Sequence, residues 1–271
     1  MKKPKLHVLL YGYSGVGKDT LAAQFPGDRL VLFLDGQGGN EFPYMVGASD
    51  VSDMQSYELG VDAYGQKIMV EYQDITASDG KLTRIEYYSS ESANAPTISD
   101  TLEMRMSLVK EEQDDWGTLI LSSLSAVNLE AMYMEQFVKN PITSNGKEDP
   151  RQWRGGATDY LERLIFGQRY LHKMNVVYIA HTALKDNGTT GEVLRTVSLP
   201  GRLATQSGNY FGEFWRLYIK TNHENGLRER WLQLDGDGRY QAKSHLMTES
   251  PCRPTWDAIW GGWDKLFGKE K

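Results

Sequence analysis

The stretch that most restricts this chain is "LHVLLYGYSGVGKDT", positions 6 to 20. An apolar run enters a glycine-marked turn, and the chain leaves that turn on the helix-forming residues "KDTLAAQF", which end near Pro26-Gly27. Gly12, Gly15 and Gly17 permit positive backbone dihedrals and close main-chain approach. Successive N–H groups can therefore wrap phosphate oxygens at the start of the helix. The spacing from Gly12 to Lys18 is a complete G-x-x-x-x-G-K, placed after a strand and before a helix as that chemistry requires. The phosphate cradle is thus Gly12, Tyr13, Ser14, Gly15, Val16, Gly17, Lys18, Asp19 and Thr20, with Lys18 reaching the terminal phosphates. One position departs from the pattern: Asp19 stands where a Ser or Thr hydroxyl normally meets magnesium.

Three more apolar runs follow: "RLVLFLDGQGG", "WGTLILSS" at 116–123 and "NVVYIAH" at 175–181. Helix-forming stretches at about 99–113 and in "ATDYLERLIFGQRYLHKM" precede the last two. Continuous apolar runs separated by helices predict an α/β fold with a mainly parallel sheet buried on both faces. Ligand chemistry then belongs at the carboxyl ends of the strands. Between positions 40 and 100, "QKIMVEYQDI" and "KLTRIEYYS" joined by "TASDG" predict a β-hairpin insertion.

The 271 residues are 40% hydrophobic and 11% aromatic, enough to bury a sizeable core. A net charge of −6 excludes a generally basic surface, so any nucleic-acid contact needs a local patch. Cys252 is the single cysteine, and no apolar run has the length of a membrane span or the layout of a signal peptide. A reducing compartment, the cytoplasm, is expected, with no membrane partner. The five histidines show no zinc spacing with Cys252, and "DGDGR" lacks the distal glutamate of a calcium loop.

Taken in order, "GYSGVGK", "LFLDGQ", "LILSS", "VVYIAH" and "YQAKSH" resemble the RecA-like P-loop ATPase core, in particular the small phage-encoded type associated with single-strand annealing and recombination. The likeness runs from about residue 5 to 245 and implies a RecA-like domain over 1–250, followed by a helical aromatic tail over 251–271. It implies ATP and Mg2+ as cofactors, a homo-oligomer, and single-stranded DNA as partner. By the same resemblance Gln37 occupies the place of the water-polarising acid, and Ser122 that of the magnesium-holding Asp. His181 matches the terminal-phosphate sensor, and Lys243 the basic residue that reaches a neighbouring subunit's nucleotide. Asp35 stands at the end of the second strand, as a ribose or magnesium ligand or as a turn cap.

Three departures therefore coincide, at Asp19, Gln37 and Ser122. Magnesium prefers hard oxygen ligands, so Asp19 can replace the hydroxyl while Thr20 or Ser122 supplies a further contact. Gln37 can orient a water but cannot take its proton. Nucleotide binding with slow, conditional or absent turnover is expected.

For DNA, Arg151, Trp153 and Arg154 in the segment 140–156 combine phosphate contact with base stacking, and the loop 184–197 lies on the same side by resemblance. The tail "TWDAIWGGWDKLFGK" presents an apolar stripe suited to packing, weakened by Gly261-Gly262. Two other classes compete. One is a nucleotide-gated, non-catalytic oligomeric scaffold, and the other is a P-loop nucleotide or metabolite kinase, against which "DGQGGNEFPYMVG" offers no acceptor-site arginine.

Overall fold

The four apolar runs become neighbouring strands because each is apolar on both sides of its pleat. The computed structural model describes residues 5–34, 45–48, 50–62, 65–88, 98–139, 142, 145–187, 192–237, 239–246 and 248–267. Along these, the chain forms β1 (His7–Gly12), α1 (Lys18–Ala22), β2 (Arg29–Phe33), β3 (Asp50–Val51), β4 (Gln55–Val61), β5 (Lys67–Thr76) and β6 (Leu82–Tyr87). Next come α2 (Ile98–Glu111), β7 (Thr118–Ser122), α3 (Leu124–Tyr133) with a π-helical turn at Met134–Val138, and α4 (Pro150–Gly167) with a 3₁₀ turn at Gln168–Tyr170. The last third holds β8 (Asn175–Asn187), β9 (Glu192–Val197), α5 (Gly201–Thr205), α6 (Ser207–Tyr210), β10 (Glu213–Thr221), β11 (Arg228–Gln233) and α7 (Trp256–Phe267).

The sheet runs β11-β10-β1-β8-β7-β2-β6-β5-β3, with β4 on β5 and β9 on β8. From β10 through β6 every pairing is parallel. Alternate residues of the central strands enter opposite layers. Leu9, Leu30, Leu32, Leu119, Leu121 and Tyr178 pack with Leu102, Leu124 and Leu161 of α2, α3 and α4. Val8, Leu10, Val31, Ile120, Val177 and Ile179 pack with Leu21, Phe25, Trp215 and Ile259. The α/β, mainly parallel fold expected from the sequence is the one observed.

The hairpin β5–β6 forms as predicted, but it extends the main sheet: β6 lies parallel to β2, from Arg29↔Thr83 to Phe33↔Tyr87. A buried ion pair ties it to α2. Arg105 Nε donates to Glu86 Oε2 at 2.8 Å, and its Nη1 donates to Glu112 Oε1 at 2.9 Å. Helix α7 continues through Gly261-Gly262, and Trp256 stands 4.6 Å from Phe25, ring centre to ring centre. Among the described residues, no helix is long and apolar enough to cross a membrane.

Two loop expectations are corrected. The segment 140–156 is not one long loop, because Asp149 caps the first turn of α4, its side chain accepting from Arg151 N, and Pro150 pre-sets the helical φ. The segment 184–197 is mostly the β8–β9 hairpin, paired from Thr182↔Val197 to Asn187↔Glu192.

Candidate nucleotide site

β1 ends at the carboxyl edge of the sheet between β8 and β10, with Gly12 level with His181. A Cβ on Gly12 would stand 2.3 Å from the Leu217 carbonyl oxygen of β10, so glycine is required there by strand packing before any ligand is considered. The turn is then made with Gly15 at φ 73° and Gly17 at φ 96°, both in the left-handed region. Gly17 caps α1, which opens the helix N-terminus toward the loop.

Lys18 is 3% exposed. Its Nζ donates to the Tyr13 carbonyl at 2.9 Å and to the Gly12 carbonyl at 3.3 Å. The ammonium is therefore folded back over the loop, against its own main-chain carbonyls. Arg230 of β11 reaches the same loop: its Nε donates to the Val16 carbonyl at 3.0 Å and lies 3.2 Å from where a Gly17 Cβ would be. Sequence reasoning missed Arg230, since "RERW" on an edge strand reads as a solvated face, and only the β10–β11 pairing delivers it to the loop.

Of the three departing positions, two meet. Ser122 Oγ, at the carboxyl end of β7, donates to Asp19 Oδ1 at 2.8 Å. Ser122 is buried, Asp19 half-buried and Thr20 exposed. A carboxylate oxygen and a hydroxyl thus face each other beside the phosphate cradle, a donor pair of the hard type magnesium takes. Asp35 and Gln37 lie outside the described residues. Among the described residues, no group of three or more His, Cys, Asp or Glu side chains converges as a ready metal cage. Any ion at Asp19 would draw its remaining ligands from nucleotide oxygens and water, as magnesium commonly does.

His181 is half-buried on β8, its N–H donating to Ser125 Oγ at 3.0 Å and its carbonyl accepting from Ser198 N at 2.7 Å. The backbone is thereby fixed level with Gly12 at the carboxyl end of β1. Lys243 is held by two main-chain bonds to Phe214, both 2.8 Å, and its Nζ donates to the Gly208 carbonyl of its own chain at 3.0 Å.

The nucleic-acid trio separates. Arg151 and Arg154 are exposed on α4, whereas Trp153 is buried at 8% exposure, with the Arg154 guanidinium 4.9 Å from its ring centre. The tryptophan is therefore a core residue and not an open stacking platform, because the helix that starts at Pro150 turns it inward.

No family model matches the chain, and no curated protein matches it. Similar solved structures include a KaiC-like protein from Pyrococcus horikoshii, 14% identical, covering 88% of this chain and 82% of that one at a TM-score of 0.42. The flagellar accessory protein FlaH from Methanocaldococcus jannaschii is 11% identical, covering 85% of this chain and 78% of that one at a TM-score of 0.37.

Proposed function

We propose that this chain is a RecA-like ATP-binding protein that acts on single-stranded DNA in phage recombination or annealing, as a homo-oligomer with weak or conditional ATP hydrolysis. The observation that carries the nucleotide half is the closed phosphate loop, with Lys18 over the Tyr13 and Gly12 carbonyls and Asp19 joined to Ser122 beside it. In this reading the loop amides and Lys18 hold the phosphates, and Asp19, with Thr20 or Ser122, holds magnesium. Bound magnesium would neutralise phosphate charge. By the sequence resemblance, His181 senses the terminal phosphate, Gln37 orients the attacking water, and Lys243 reaches a neighbouring subunit's nucleotide. The DNA half rests on the sequence resemblance and on the exposed Arg151 and Arg154.

A second reading, the nucleotide-gated scaffold, is favoured by Ser122 itself, whose hydroxyl replaces a carboxylate at the end of β7. The two readings differ in turnover. Magnesium-dependent ATP binding and phosphate release are measured with and without single-stranded DNA, in the natural chain and in Lys18→Ala. Binding lost in Lys18→Ala together with DNA-stimulated release supports the ATPase. Binding without release supports the scaffold, and absence of binding rejects both.

A further inference from the structure

Beside the phosphate loop lies a second concavity of about 440 Å3, walled by β9, by α5 and α6, and by the segment that follows β11. Arg195, Arg239 and Lys243 line it, together with the amides of Gln206, Asn209 and Gln241. Among the described residues, no carboxylate lines it.

Two of these cations, Arg195 and Lys243, differ from several arginines elsewhere among the described residues in what they touch. Arg29, Arg84, Arg105 and Arg202 each pair with a carboxylate. Arg195 instead donates to the phenol hydroxyl of Tyr240, and Lys243 donates to the Gly208 carbonyl. The acid nearest Arg239 in sequence, Asp237, turns its Oδ1 to the backbone N–H groups of Arg239 and Tyr240, at 3.0 and 2.8 Å. Neutral acceptors at Arg195 and Lys243 leave their formal charge uncompensated, and with no carboxylate in the lining the cleft is a positive concavity in a chain of net charge −6.

The walls are also preorganised. Tyr11 of β1 donates its hydroxyl to the Gln241 carbonyl at 2.6 Å, and Arg195 forms a backbone bridge with Tyr240. Two guanidinium forks and an ammonium, with amide donors around them, match the oxygens of a phosphate better than a single carboxylate. The volume falls in the range of about 300–1,000 Å3 usual for small-ligand sites.

We propose that this cleft is a second phosphate site, distinct from the phosphate loop and linked to it through the Tyr11–Gln241 hydrogen bond at the end of β1. Its ligand is a phosphate of a nucleic-acid strand or of a free nucleotide.

The test uses the full chain and two probes, a fluorescent oligodeoxythymidylate and a fluorescent ATP analogue, the latter measured in the Lys18→Ala background so that the phosphate loop does not contribute. The Arg195→Gln/Arg239→Gln double variant is expected to weaken at least one probe about tenfold or more, with Arg239→Gln alone giving about threefold, and the effect is expected to shrink with salt. Circular dichroism melts confirm that the variants fold. Loss confined to the oligonucleotide assigns the site to a strand, loss confined to the analogue assigns it to a free nucleotide, and loss of both assigns it to phosphate in general. Unchanged affinity for both probes, or no binding of either, overturns the proposal. ATP binding that survives Lys18→Ala and is abolished by the double variant rejects the phosphate-loop reading while supporting the cleft.

Discussion

Ser122 donates its hydroxyl to the Asp19 carboxylate across 103 positions of sequence, joining the end of β7 to the first turn of α1. If that carboxylate carries magnesium, Asp19→Ala weakens ATP binding about tenfold, or about 1.4 kcal/mol, in magnesium and leaves it unchanged in chelator. Calorimetric titrations under both conditions measure the difference, and equal losses would show that Asp19 acts without the ion.

A carboxylate placed at the other end of the same contact gives a sharper outcome. Ser122→Asp sets two carboxylates within hydrogen-bond reach, and like charges at that distance repel. The melting temperature is expected to fall by several degrees in chelator and to recover with magnesium, by the linkage between ligand binding and stability. A fall that magnesium does not reverse would mean that no ion sits between them.

The first glycine of the loop is predicted to fail for a reason unrelated to nucleotide. Gly12→Ala drives a methyl against the Leu217 carbonyl at 2.3 Å and costs about 2 kcal/mol or more of stability. Gly15→Ala has open space around its Cβ and bears only the strain of φ 73°, about 1 kcal/mol. Chemical denaturation without nucleotide ranks the two, and the reverse order would contradict the packing argument.

Arg105 predicts an acid-sensitive core. Burial alone would raise the Glu112 carboxyl, but hydrogen bonds from Arg105 and Trp116 outweigh it and hold the group below the usual glutamate range. A depressed folded pKa contributes stability that is complete above the unfolded value and is lost as pH falls through the folded one. Urea midpoints measured between about pH 6 and pH 3 should therefore fall, and more steeply in the natural chain than in Glu112→Gln. Arg105→Leu leaves Glu86 buried without its partner and is expected to cost about 3–5 kcal/mol at neutral pH.

The four inner strands and the phosphate loop are legible because their signals are local: continuous apolar residues in β1, β2, β7 and β8, and glycine at fixed offsets before Lys18. What the sequence hides depends on partners distant along the chain. Asp149 and Pro150 carry a helix-start signal, yet Gly155-Gly156 and the neighbouring loop composition argue against a helix and place Trp153 on a surface from which α4 turns it away. Of the two, Gly156 has a packing reason, since it lies against the Glu135 side chain, where a Cβ would stand 2.3 Å from its carboxyl carbon. Arg230 and Arg195 acquire their meaning only when β11 and β9 bring them beside Val16 and Tyr240. No periodicity in the chain announces such meetings.

The position of β1 between β8 and β10 sets an order of events during synthesis. The motif precedes both of its neighbours in chain order, so the strand that carries it gains its two flanks only when residues 175–187 and 213–221 exist. Folding domains complete such long-range pairings late, since closure of the intervening chain opposes them. A nascent chain therefore holds the glycine loop without the frame that shapes it until β8 and β10 have been made, and the geometry of the loop reports that both strands have arrived.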